Sequence, residues 1–87
     1  MCWEYRIAVS VSKKNGQYRN YYGSWWSDRN EAEEEKEDVS RWITRFIDEY
    51  IDGSITFYPN EDREVIVHFT PSEIESVEVR IDEREAE

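Results

Sequence analysis

The side chains that most often perform catalysis are scarce in this sequence. His68 is the only histidine and Cys2 the only cysteine. His68 stands in an alternating apolar segment, and no motif supplies the partner that would orient a catalytic imidazole. The sequence has no glycine-rich phosphate loop, HExxH motif or EF-hand spacing. We therefore expect a protein that is not an enzyme, with no catalytic residue, no cofactor and no metal site.

Carboxylates are concentrated in one short stretch, which contains Glu31, Glu33, Glu34, Glu35, Glu37 and Asp38. Acidic residues in the first turn of a helix favour its dipole by about 0.3–1 kcal/mol each, which accounts for the first two. The other four lie further along, and Glu34 and Asp38 form a repulsive i, i+4 pair that costs about 0.2–0.5 kcal/mol. We expect these six carboxylates to form an anionic contact surface. The alternative is an ordinary solvated helix start.

A segment rich in aromatic and basic residues precedes the acidic stretch. It contains Lys13, Lys14, Tyr18, Arg19, Tyr21, Tyr22, Trp25 and Trp26. Such a mixture can stack single-stranded bases, but a net charge of −10 opposes the binding of phosphates. We expect no direct contact with nucleic acid. Tyr21 and Trp25 are predicted to point away from the core, where they would suit a protein contact.

Charge is distributed unevenly along the chain. Residues 1–30 carry five basic and two acidic side chains, whereas residues 31–87 carry six basic and nineteen acidic ones. The acidic part should repel nucleic acid and anionic lipid, and attract basic protein surfaces. No apolar run approaches the ~18–20 residues of a membrane span, and no signal peptide is apparent. We therefore expect a soluble protein that makes no membrane contact. A lone cysteine excludes an internal disulfide, so we expect the protein in the reducing cytoplasm.

The periodicity predicts one α+β domain over residues 1–87, with an antiparallel sheet of about five strands and one long helix on one face. Residues 3–11 alternate as a half-buried strand, with Ile7, Val9 and Val11 on the core side. Asn15 and Gly16 predict a two-residue turn. The returning strand, residues 17–26, would then place Tyr18, Tyr22 and Trp26 beside the core.

The helix is predicted to begin after Asp28, in a capping box with Glu31, and to end near residue 51 with Gly53 as its C′ residue. An apolar stripe runs along its second half, made of Val39, Trp42, Ile43, Phe46, Ile47, Tyr50 and Ile51. Within that stripe Trp42, Phe46 and Tyr50 should be largely buried.

The remaining elements follow from alternation and turn residues. Residues 54–58 and 64–70 predict a second hairpin around residues 59–62, and Pro71 predicts one helical turn. Residues 77–81 predict a last strand, and residues 82–87 a frayed acidic tail. The predicted order is ββαββ, a short turn, then β.

Size and charge favour a non-enzymatic acidic binding protein, an inhibitor or adaptor of the kind that viruses and mobile elements use against host defence or transcription. Its acidic helix would contact a basic protein surface, including one that normally holds nucleic acid. The alternative is an assembly module that forms a homodimer through its aromatic sheet face or a strand edge. A third interpretation is adaptation to a high-salt cytoplasm, suggested by eight arginines, three lysines and many acids.

Overall fold

The computed structural model describes residues 2–86 and confirms the predicted element order. The strands are β1 (Cys2–Lys13), β2 (Tyr18–Tyr22), β3 (Gly53–Asn60), β4 (Arg63–Phe69) and β5 (Ile74–Ala86). The helix α1 (Arg29–Glu49) lies between β2 and β3, and a single 3₁₀ turn (Pro71–Glu73) precedes β5. The α+β class is thus confirmed. The five strands form two antiparallel sheets, one of three strands in the order β2-β1-β5 and one made of β3 and β4.

The last strand is much longer than the sequence suggested. β5 pairs with β1 along its whole length, from Lys13 opposite Ile74 to Cys2 opposite Ala86. Residues 82–86, predicted as a frayed tail, are therefore part of a paired strand, and residue 87 lies outside the described residues. Two charge pairs hold this end: Arg84 lies 2.9 Å from Glu4, and Arg6 lies 3.8 Å from Asp82.

The first hairpin turn has three residues, where two were predicted. The backbone N–H of Lys13 donates to the carbonyl of Gln17, which leaves three residues between them, and Gly16 takes the left-handed φ of +88°. The extra residue reverses the facing of β2, because side chains alternate with a period of two. Tyr21, opposite Val9, therefore faces the core. Tyr22 faces the outer side of the sheet. The prediction that Tyr21 points away from the core and the prediction that Tyr22 lies beside it were therefore both wrong.

The helix packs on the sheets through a narrow stripe of buried residues, made of Ala32, Val39, Ile43 and Phe46. These residues cover Ile7, Val9 and Val11 of β1 and the inner side of the β3–β4 sheet. Trp42 is 50% exposed and Tyr50 67% exposed, so their predicted burial was wrong. Both lie outside the arc that the sheets cover, and only Phe46 of the predicted trio is buried, at 7% exposure.

The helix ends on an unexpected residue. Tyr50, not Gly53, adopts the left-handed conformation, with φ 54° and ψ 47°, and its N–H donates to carbonyls of the last turn. Gly53 instead opens β3 directly beneath the ring of Phe46. A Cβ atom at position 53 would overlap three ring atoms of Phe46. Glycine is therefore required there for space, since its φ is not positive.

We predict that Gly53→Ala lowers the free energy of unfolding by about 1–3 kcal/mol, because the methyl group displaces a buried ring. The measurement is urea unfolding followed by circular dichroism. The exposed neighbour supplies the control: Ser54→Ala should stay within about 0.5 kcal/mol of wild type. Equal stability of the two variants would show that Phe46 does not lie tightly over Gly53.

Candidate functional site

The outward side of the first half of α1 carries three carboxylates that make no ion pair among the described residues. They belong to Glu31, Glu34 and Glu37, and all three residues are exposed. They recur every three residues, so they descend one side of the helix at a rise of ~1.5 Å per residue. The helix segment 29–38 has six acidic and two basic side chains, whereas the segment 39–49 has two of each. The excess negative charge is therefore confined to the first half.

Two of the other predicted carboxylates are paired with neighbours on the helix. Glu33 lies 3.5 Å from Arg29, and Asp38 lies 3.3 Å from Arg41. Both pairs are solvent-exposed, and such pairs contribute only about 0–1 kcal/mol to stability. Asp38, with 68% of its side chain exposed, remains accessible to a partner.

Glu35 has a different environment from the other five carboxylates. Its side chain lies over Gly23, where a Cβ atom would collide with it, and its Oε2 accepts a hydrogen bond of 3.2 Å from Nε1 of Trp26. Burial raises the pKa of Glu35, and the hydrogen bond from Trp26 opposes that rise in part. Glu35 is thus a packing residue between the helix and the end of the first hairpin, although we predicted it as part of the contact surface.

Trp42 joins the acidic side chains on the exposed part of the helix. It lies one turn after Asp38 and packs on Phe46 with ring centroids 6.0 Å apart and the ring planes tilted by 36°. The guanidinium of Arg45 lies 5.5 Å from the centre of the Trp42 ring. We call Glu31, Glu34, Glu37, Asp38 and Trp42 the acidic helix surface. Trp42 was not predicted as a contact residue because it fits the apolar stripe; its neighbours Arg41 and Arg45 are the signal of an exposed position.

The two aromatic residues predicted as contacts lie on opposite sides of the three-stranded sheet. Tyr21 stacks on Phe57 in the core, with ring centroids 6.1 Å apart, so it does not point away from the core as predicted. Trp25 does lie on the side away from the helix. There it is covered by Arg6 at 4.4 Å and Arg84 at 4.0 Å from its ring centroid.

Trp25 belongs to a layer of alternating rings and guanidinium groups on this outer side. Arg6 is held between Tyr22, at 4.0 Å, and Trp25. Next to this layer Ala8 is fully buried. Ser10 is buried on the same face, where it donates to Asn20 and accepts from Arg80. Cation–π contacts contribute about 0.5–2 kcal/mol each, more when desolvated. The layer therefore covers part of the outer face of β1, and its arginines, Arg6 and Arg84, already contact rings and carboxylates of the same chain.

An open groove of about 630 Å³ lies between β2 and the β3–β4 sheet. Arg19 and Arg63 line it beside Tyr21, Phe57 and Val65, and the lining contains no carboxylate, thiol or imidazole. His68 is exposed on β4 opposite Ser54, and Cys2 is a free, exposed cysteine. Within residues 2–86, no group of three or more potential metal ligands occurs.

No protein-family model, curated protein or solved structure matches this chain. In the part of the chain that the structure describes, no helix is both long and apolar enough to cross a membrane.

The environment of Glu35 predicts a pH-dependent effect of Glu35→Gln. A carboxyl group whose folded-state pKa is raised costs stability as the pH rises from its ordinary pKa to the raised one, because the folded state then binds more protons than the unfolded state. Glutamine keeps an acceptor for Trp26 and removes that cost. Glu35→Gln should therefore be more stable than wild type at pH 7, and the difference should shrink at pH values near and below about 4.3.

The measurement is urea unfolding of both proteins at pH 7 and pH 4. Glu64→Gln, at an exposed carboxylate of β4, controls for the loss of one negative charge. A stabilisation of Glu35→Gln that is the same at both pH values would contradict the buried environment of Glu35.

Proposed function

We propose that this protein is a non-enzymatic acidic binding protein, an inhibitor or adaptor that contacts a basic protein surface through the acidic helix surface. The observation that carries the proposal is that Glu31, Glu34 and Glu37 are exposed and make no ion pair among the described residues. Carboxylates that serve the fold have visible partners: Glu4 binds Arg84, Asp82 binds Arg6 and Glu35 accepts from Trp26.

Electrostatics supports a basic partner. Like charges placed on one helix side repel each other, so a row of unpaired carboxylates costs stability unless a partner uses it. Opposite charge on a partner would remove this repulsion and would steer the two proteins together before contact. Two basic residues interrupt the negative charge of this half of the helix. Arg29 pairs with Glu33, and Lys36 lies on the flank beside Glu33 and Glu37.

Trp42 would supply binding affinity, which long-range charge contributes little to. Long-range charge mainly raises association rates, whereas the affinity of protein interfaces is concentrated in a few buried anchors, among which Trp is enriched. Trp42 exposes half of its surface one turn beyond Asp38, and its contacts with Phe46 and Arg45 restrict its rotamer. A partner whose basic side chains bind Glu34 and Asp38 would therefore also cover the exposed ring of Trp42.

The charge prediction is tested by the triple variant Glu31→Gln, Glu34→Gln and Glu37→Gln. We expect unchanged or slightly higher stability, since glutamine is a good helix former and repulsion is lost. Association with a basic partner should slow about three- to tenfold at low ionic strength, and the salt dependence of the rate should flatten. The partner is first captured from host lysate, and association rates are then measured at two ionic strengths.

A matched variant carries the same change in net charge elsewhere. Glu61→Gln, Asp62→Asn and Glu64→Gln alter three exposed carboxylates at the β3–β4 turn. If the acidic helix surface is the contact, this control should keep nearly the wild-type rate. Equal slowing of both variants would mean that net charge alone matters and would overturn the proposal.

A further inference from the structure

β5 is a long strand with one side open. It pairs with β1 on one side, and no other strand of the described chain pairs with its second side. Residues 74–86 contain no proline or glycine, and their pairing with β1 is regular from Ser76 to Ala86. Proteins usually protect a sheet edge by prolines, bulges, charged side chains or a covering element. β5 carries many charged side chains, which disfavour a partner strand of like charge but not one whose charges are complementary.

The hydrogen bonds of β1 show which groups of β5 face the open side. Tyr5 exchanges both backbone bonds with Trp26, and the carbonyl of Ile7 accepts from Gly23, so odd-numbered residues of β1 point away from β5. Even-numbered residues of β1 therefore bond to the even-numbered residues of β5 opposite them. The free N–H and C=O groups are consequently those of Val77, Val79, Ile81, Glu83 and Glu85.

The even-numbered residues of β5 share the outer sheet face and alternate in charge, in the order Glu78, Arg80, Asp82, Arg84. Such an order is complementary to its own reverse. We propose that β5 pairs antiparallel with β5 of a second copy of this chain, with Ile81 opposite its counterpart. Arg80 then faces Asp82 of the second copy, and Glu78 faces Arg84 of the second copy, so all four cross-strand pairs are of opposite sign. This inference does not depend on the proposed function.

The charges already present on β1 extend the same pattern. Glu4 lies beside Arg84, and Arg6 beside Asp82. In the joined sheet the signs would alternate across three strands: Glu4, Arg84 and Glu78 of the second copy form one row. Arg6, Asp82 and Arg80 of the second copy form the next.

Neighbouring registers are less favourable. With Arg80 on the two-fold axis, Arg80 faces its own counterpart and Glu78 faces Asp82. With Asp82 on the axis, Asp82 faces its own counterpart and Arg80 faces Arg84. Like charges directly opposite one another are destabilising. With Val79 on the two-fold axis, Glu78 faces Arg80, but Asp82 and Arg84 lose their charged partners and Glu75 faces Glu83. Of these registers, the one with Ile81 on the axis therefore has the most complementary charges on the outer face.

The first test is the solution mass, by size-exclusion chromatography with light scattering over a concentration series. Wild type should reach twice the chain mass of 10.6 kDa. Arg80→Asp should weaken the dimer at least tenfold, and adding Asp82→Arg should restore it in part, because the charges across the two copies again match while Arg6 loses its partner. A monomer at all concentrations, or a dimer indifferent to Arg80→Asp, would overturn the proposal.

The second test reads the register directly and uses variants that keep all four charges. In a Cys2→Ser background, Ile81→Cys and Val79→Cys are treated with a short thiol-to-thiol crosslinker. Position 81 would lie ~5.5 Å from its counterpart, whereas position 79 would lie about 14 Å away. Crosslinking of Ile81→Cys alone supports the register. Crosslinking of Val79→Cys, or of neither variant, contradicts it.

Discussion

Two close contacts at glycines fix the rotation of the helix about its axis, and the exposed surface of the molecule depends on that rotation. Near its N-terminus Glu35 lies over Gly23, and near its C-terminus Phe46 lies over Gly53. Neither approach would be possible with a Cβ atom on the strand side. Because the contacts lie eleven residues apart, about three turns, they hold the same helix side against the sheets at both ends. The acidic helix surface is turned outward as a result.

The central strand β1 is covered on both faces by different chemistry. On the inner face Ile7, Val9 and Val11 meet the helix stripe. On the outer face rings and guanidinium groups stack beside Ala8, and Ser10 bonds to Asn20 and Arg80. Arginine suits the second role because its planar group stacks on rings while it pairs with carboxylates. Six of the eight arginines make ion pairs within the described residues. With 21 acidic side chains in the sequence, the unpaired charge that remains is mostly negative.

Local signals predicted most of the fold. Alternation located β1, Asp28 marked the start of α1 by accepting from the N–H of Asn30, and Pro71 marked the single 3₁₀ turn. Quantities set by distant residues were not predictable in this way. One additional turn residue reversed the faces on which Tyr21 and Tyr22 lie. The width of the buried helix stripe depends on how much of the helix the sheets cover.

The candidate site was only partly predictable, because contacts between distant residues decide which of its side chains are exposed. The run of carboxylates was visible in the sequence, but the assignment of Glu35 to packing required Gly23, which is twelve residues earlier in the chain. Trp42 follows the apolar periodicity and yet lies beyond the covered arc. The strand character of residues 82–86 was hidden by their charge, because pairing of Arg84 with Glu4 joins the two ends of the chain.

The central claim, that the exposed helix side is where a partner binds, is tested most directly by site-specific photo-crosslinking. A photoreactive phenylalanine derivative is placed at position 42, and in a second protein at position 66, since Ile66 is similarly exposed but lies on the β3–β4 sheet. After irradiation with the captured partner, we predict a covalent complex from position 42 and none from position 66. A complex formed from position 66 and not from position 42 would contradict the account.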